Sequence, residues 1–114
     1  MFYIGVDLGG TNIAAGIVDS DFRIVRKGSV PTNVEGRTAD DIIKDMGALC
    51  QKLVDDEELT AADIEYVGIA SPGAIDPVKG VVNYANNLPF RVFPIAETLQ
   101  KYFPVKKVLV ENDA

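Results

Sequence analysis

Three things are scarce in this sequence: cysteine, positive charge and long apolar runs. Each shortage removes a class of function. A single cysteine, Cys50, in 114 residues excludes an internal disulfide and any multi-cysteine zinc site within these residues. Cys50 falls on an apolar helical stripe and is expected to be a small core residue. Lys and Arg number 11 against 17 Asp and Glu, a formal net charge of −6. That balance argues against nucleic acid or an anionic membrane surface as the main partner. Any bound nucleotide would need local amides and a metal ion rather than a general positive field. No apolar run approaches the roughly 20 residues of a membrane span. Met1 passes straight into strand residues without a basic leader or a small-residue cleavage site, so no signal peptide is read and the expected address is the cytoplasm. There is no repeat, linker or low-complexity segment.

What remains is ordinary globular material, 47% hydrophobic and 25% charged. This length favours one domain, burying roughly two thirds of its unfolded surface. Segments 2–8, 13–19 and 23–30 read as three strands joined by tight turns, an antiparallel meander. The second joint, Asp19-Ser20-Asp21, is rich in residues that bond their own backbone. A polar loop over 31–37 precedes Thr38, an N-cap followed by Asp40 and Asp41, which suit the positive end of a helix. Ile42, Met46, Leu49 and Leu53 give that helix an apolar face to about Val54, and the acids at 55–58 are expected to end it as a solvated loop. A helical turn at 60–63 leads into a strand over 64–70, apolar on both faces and so expected to be central and covered. Residues 73–82 suggest a short hairpin or wide loop, and 83–90 have no clear period. A second helix is expected over 94–102 and a last strand over 107–110. The order gives an α/β fold: a mixed sheet of meander plus parallel strands, with helices packed on it. In such sheets ligands collect beyond the carboxyl ends of the parallel strands.

Asp7-Leu8-Gly9-Gly10-Thr11-Asn12 joins the first two strands. Two glycines allow positive φ angles and close approach to the main chain, Thr11 and Asn12 add a hydroxyl and an amide, and Asp7 adds a carboxylate. Such a turn can hold phosphate oxygens, and the carboxylate can hold Mg2+, directly or through water. It is neither a Walker A loop nor a dinucleotide fingerprint, since no Lys-Ser/Thr pair and no Gly-x-Gly-x-x-Gly occur there.

Val6-Asp7-Leu8-Gly9-Gly10-Thr11 resembles the first phosphate motif of the actin-like kinases. Together with Gly68-Ile69-Ala70-Ser71-Pro72-Gly73, Asn87-Leu88 and Glu111-Asn112-Asp113-Ala114, it resembles the ROK family of sugar kinases and sugar-sensing repressors, its bacterial glucokinases in particular. The resemblance runs the whole chain in the right order. It implies an RNase H-like half-domain, residues 1–114 being the amino-terminal domain of a two-domain hexose kinase. Gly9, Gly10, Thr11 and Asn12 would wrap the phosphates of ATP, with Asp7 near Mg2+. Gly73, Asn87 and Asn112 would bond sugar hydroxyls, and Asp113 would be the catalytic base at the C6 hydroxyl, itself touching the sugar. ATP and Mg2+ are the implied cofactors, sugar and a carboxyl-terminal domain the implied partners, and the complete protein is expected to be a homo-oligomer. The family's Glu-x-Gly-His sugar motif, cysteine-rich zinc cluster and adenosine pocket are not found in these residues, so the isolated chain is expected to be nearly inactive. Phe90 stands where family members commonly carry tryptophan, which is expected to reshape the sugar loop. Kinases for fructose, N-acetylmannosamine or allose are alternatives. A repressor is a further one, disfavoured by the acidic charge and by a first strand that begins at Phe2 with no helix-turn-helix ahead of it.

Overall fold

A computed structural model describes residues 1–112. In chain order it contains β1 (Phe2–Leu8), β2 (Asn12–Val18), β3 (Ile24–Pro31), α1 (Ala39–Asp56), β4 (Ile64–Ser71), β5 (Ala74–Asp76), β6 (Val81–Tyr84), β7 (Arg91–Phe93), α2 (Ile95–Tyr102) and β8 (Val108–Asn112). A five-stranded sheet has the order β3-β2-β1-β4-β8. Its first three strands are the antiparallel meander, and β1, β4 and β8 run parallel. The mixed α/β architecture expected from the sequence is present. A second sheet, β5-β6-β7, stands after β4.

The alternation of apolar residues decides which face is core. Ile4, Val6 and Leu8 of β1 and Ile13, Ala15 and Ile17 of β2 point inward and are buried. They meet the stripe of α1, where Ile42, Ile43, Met46, Leu49 and Leu53 are buried, and Ile95 and Leu99 of α2. Cys50 is buried in the same stripe, and burial pushes its thiol up to about 12, which makes it unreactive packing material.

The opposite face carries small residues. Gly5, Ala14, Gly16, Gly68 and Ala70 floor an open trough of about 950 Å³. The fourth strand is central, as expected, yet covered on one face alone. Its second apolar row is Gly68 and Ala70, side chains too small to demand a partner layer.

Helix α1 starts where the sequence predicts. The Thr38 hydroxyl accepts the Asp41 N–H and the Asp41 carboxylate accepts the Thr38 N–H, both at 3.1 Å. Its end differs from expectation, because the acidic run does not start a loop at residue 55. Gln51 donates to Asp55 and Lys52 to Asp56, both at 2.8 Å, and these i,i+4 pairs carry the helix to Asp56. The residues 73–93 supply three short strands where the sequence suggested at most a hairpin. Strands of three or four residues are too brief to show a period of two.

Thr38→Ala should cost about 1 kcal/mol, read as a lower urea midpoint at unchanged slope. The Thr38 N–H and hydroxyl hold the Asp41 carboxyl below its ordinary value of 3.8. The ionised form therefore favours the folded state above that pH, and its contribution fades as pH falls through the lowered folded-state value. Asp41→Asn should be less stable than the parent at neutral pH, with the gap closing in acid; a gap that widens in acid would contradict this sign.

Candidate functional site

Asp7 is the penultimate residue of β1 and points to the open face. In the ladder it lies opposite Ala70, which in turn lies opposite Glu111. Two exposed carboxylates thus flank one alanine at the ends of parallel strands, their backbones about 10 Å apart. Glu111 had no role assigned from sequence, since only the sheet register reveals it as a neighbour of Asp7. Among the described residues no three His, Cys, Asp or Glu come together as a metal cage. A magnesium ion at Asp7 would complete its shell with water and phosphate oxygens, the usual arrangement for that ion.

Beyond Leu8 the chain turns. The Gly9 N–H donates to the Asn12 carbonyl at 3.0 Å, and a Cβ on Gly9 would sit 3.0 Å from that same oxygen. Neither Gly9 nor Gly10 has a positive φ; among the described glycines Gly36, Gly73 and Gly80 do. Of the two freedoms that the glycines allow, positive φ and close approach, this turn uses close approach, at position 9. Gly10, Thr11 and Asn12 are exposed, and neither the Gly10 nor the Thr11 N–H donates to a protein acceptor among the described residues. Beneath the turn lies Thr32, fully buried, whose hydroxyl donates to the Gly9 carbonyl at 2.7 Å and whose N–H donates to the Thr11 carbonyl at 2.8 Å. Sequence reasoning missed Thr32, which sits in a polar stretch read as loop.

A Cβ on Gly10 would lie 3.7 Å from the Asn87 Cβ, so the turn borders the 84–93 segment. Asn87 is exposed in a left-handed conformation, φ 63°, which asparagine tolerates better than most residues. Buried Ala85, Leu88 and Phe90 pin the segment on both sides of it. Phe90 stacks on Phe93 with centroids 5.2 Å apart, so the loop keeps an aromatic anchor. A cavity of about 540 Å³ opens along this segment, with Tyr84, Asn86, Asn87 and Arg91 among its lining.

Gly73 makes the sharpest bend, φ 96°, with a missing Cβ that would fall 2.0 Å from the Tyr84 carbonyl. The Asn112 side-chain amide donates to the Gly73 carbonyl, joining the end of β8 to the bend after β4. The structure thus gathers Gly9–Asn12, Gly73, Asn87 and Asn112 at one end of the sheet, with Asp7 on the open face alongside. Asp113 lies outside the described residues. The assembled groups are amides, main-chain N–H groups and one or two carboxylates. Amide side chains both donate and accept, which matches hydroxyl-rich ligands, and free main-chain N–H groups match anionic oxygens.

The model of the ROK family matches residues 3–114. A glucokinase from Thermotoga maritima is 39% identical over 112 residues, covering 97% of this chain and 33% of the relative. An N-acetylmannosamine kinase from Vibrio cholerae is 31% identical over 113 residues, covering 97% of this chain and 36% of the relative. A crystal structure of a ROK family glucokinase from Streptomyces griseus in complex with glucose and AMPPNP superposes with a TM-score of 0.84 at 35% identity, over 100% of this chain and 34% of that one. The chain spans about one third of the length of the curated relatives it matches.

Gly73→Ala should destabilise the protein by about 3 kcal/mol or more, because it adds both a left-handed alanine and a collision with the Tyr84 carbonyl. Chemical denaturation measures this; a loss under about 1 kcal/mol would mean that the bend relaxes freely.

Proposed function

This chain belongs to the ROK family, and we propose that it forms the amino-terminal domain of an ATP-dependent hexose kinase that moves the γ-phosphate of ATP to the C6 hydroxyl of glucose. The observation that supports this reading most is the meeting of two kinds of group at the sheet end: exposed main-chain amides at Gly10 and Thr11 that donate to no protein acceptor among the described residues, and the carboxamides of Asn87, which borders Gly10, and of Asn112, which bonds the Gly73 carbonyl. The first set suits a phosphate chain, the second a sugar.

In this reading Gly9, Gly10, Thr11 and Asn12 cradle phosphate oxygens, and Asp7 holds Mg2+ directly or through water. Magnesium supplies charge neutralisation of the phosphates when bound. Asn87 and Asn112 orient the sugar hydroxyls from either side of Gly73, and Asp113 takes the proton of the C6 hydroxyl. Phosphoryl transfer asks for placement and charge stabilisation more than covalent help, and one carboxylate suffices for the proton. With a net charge of −6 there is no general positive field, so in this reading local amides and the metal hold ATP. The remaining two thirds of the protein would close over the cleft and supply the other wall.

The identity to an N-acetylmannosamine kinase favours one second reading, a kinase for that amino sugar. A sugar panel compared by kcat/KM on the full-length protein separates the two, since a site built for one set of hydroxyls rejects the other.

In the full-length protein, glucose should drive ADP release, and Asp113→Asn should cut kcat by about a thousandfold or more while sugar affinity stays within a few fold. Turnover that survives the substitution would remove Asp113 from the base role.

A further inference from the structure

Thr32 is one of two buried polar residues among those described, the other being Ser71. It sits immediately after β3, outside any ladder, and every polar group it owns is engaged. Its hydroxyl donates to the Gly9 carbonyl at 2.7 Å, and its N–H donates to the Thr11 carbonyl at 2.8 Å. Its own carbonyl accepts from Arg37 at 3.3 Å. Arg37 also donates to the Asn33 carbonyl at 3.0 Å and pairs with the Asp45 carboxylate on α1. Thr32 is therefore fixed from below and grips the glycine turn at two carbonyls.

The Gly9 carbonyl determines where the next N–H points. The described peptide bonds are all trans, and in a trans peptide the N–H lies opposite the C=O. Drawing the Gly9 carbonyl down to Thr32 turns the Gly10 N–H up and outward. Gly10 is exposed and its N–H donates to no protein acceptor among the described residues, so this amide is presented to the open side of the turn. A hydroxyl is needed for the first grip, since Thr32 has already spent its only main-chain donor on Thr11.

We propose that Thr32 is a positioning residue for the phosphate chain of the nucleotide: through the Gly9 carbonyl it aims the Gly10 amide without touching the ligand. This rests on the reading of the turn as a phosphate cradle. An anion held by preset amides is bound more tightly than one that must first reorder them.

The test uses the full-length protein and two substitutions. Thr32→Val keeps the shape and the main-chain N–H but loses the hydroxyl; Thr32→Ser keeps the hydroxyl. Thr32→Val should raise KM for ATP about tenfold, the equivalent of roughly 1.4 kcal/mol, with KM for the sugar unchanged within twofold. Thr32→Ser should return KM for ATP to within about threefold of the parent. A variant that merely loosens the fold would lower the melting temperature and move both KM values together, or neither, and either result overturns the proposal. Should Thr32→Val fail to fold, the unaltered protein decides: the Gly10 amide resonance should shift on titration with Mg-ATP, and an unmoved resonance overturns the proposal. Absence of any ATP binding by the unaltered protein would instead remove the phosphate-cradle reading itself.

Discussion

The structure depends on the level ending of three parallel strands. The register that sets Asp7 opposite Ala70 and Ala70 opposite Glu111 leaves β1, β4 and β8 finishing side by side. At that edge lie Gly9–Asn12 after β1, Pro72–Gly73 after β4 and Asn112 at the end of β8. Slipping one strand by a single residue would turn its core row to solvent and its polar row inward. The hydrophobic face beneath the sheet thus fixes the alignment of the polar groups above it. Packing holds the site in place even though none of the packed side chains belongs to it.

Each loop on that edge is then held by its own local device. The β1–β2 turn is held from below by Thr32. The bend at Gly73 is held by contact with the Tyr84 backbone and by the Asn112 amide. The Asn87 segment is held by buried Leu88 and Phe90 on one side and Ala85 on the other. Left-handed residues cluster here: Gly73 at 96°, Asn87 at 63° and Val92 at 45°. A β-branched residue at positive φ is costly and persists only where its surroundings fix the chain. Stability of the two core layers offsets that strain, and the paired Phe90 and Phe93 rings anchor the strained segment to them.

Much of this was legible in the sequence because the signals were periodic or chemical. The meander, α1 with its Thr38 cap, the central place of β4 and α2 after Pro94 all follow from hydrophobic spacing and capping residues. The candidate site residues were named from motif order, side-chain chemistry and the family resemblance, and of these Gly9–Asn12, Gly73, Asn87 and Asn112 come to one end of the sheet. What escaped lacked such a signal. The acids at 55 and 56 look like loop but are helical, since Gln51 and Lys52 one turn earlier supply partners. The β5–β7 strands are too short to alternate visibly. Gly9 and Gly10 allow both positive φ and close approach, and the linear sequence does not say that the turn uses the space a glycine leaves rather than the angle it allows. Thr32 could have been found by asking which residue satisfies the carbonyls of a turn that has given up its own side chains, a question the linear sequence does not pose. Glu111 needed the register.

The acidic balance of the chain finally bears on how such a site can work. With six more negative than positive formal charges, the domain as a whole repels a polyphosphate, so attraction has to be local, from amide dipoles and charges close to the ligand. Dipole fields fall off faster than those of charges, and water screens them wherever the site is open. One wall of amides facing solvent is therefore a weak trap, whereas the same wall facing a second lobe in a closed, dry cleft is a strong one. The glycine turn, the carboxamides and the carboxylates at the strand ends are consistent with that division: they set geometry, and closure supplies strength. A half-site of this kind gains affinity when its amides are aimed before the ligand arrives, because no reordering then opposes binding, and the grip of a buried threonine on the Gly9 carbonyl provides that aim for the Gly10 amide at the cost of a single polar side chain in the core.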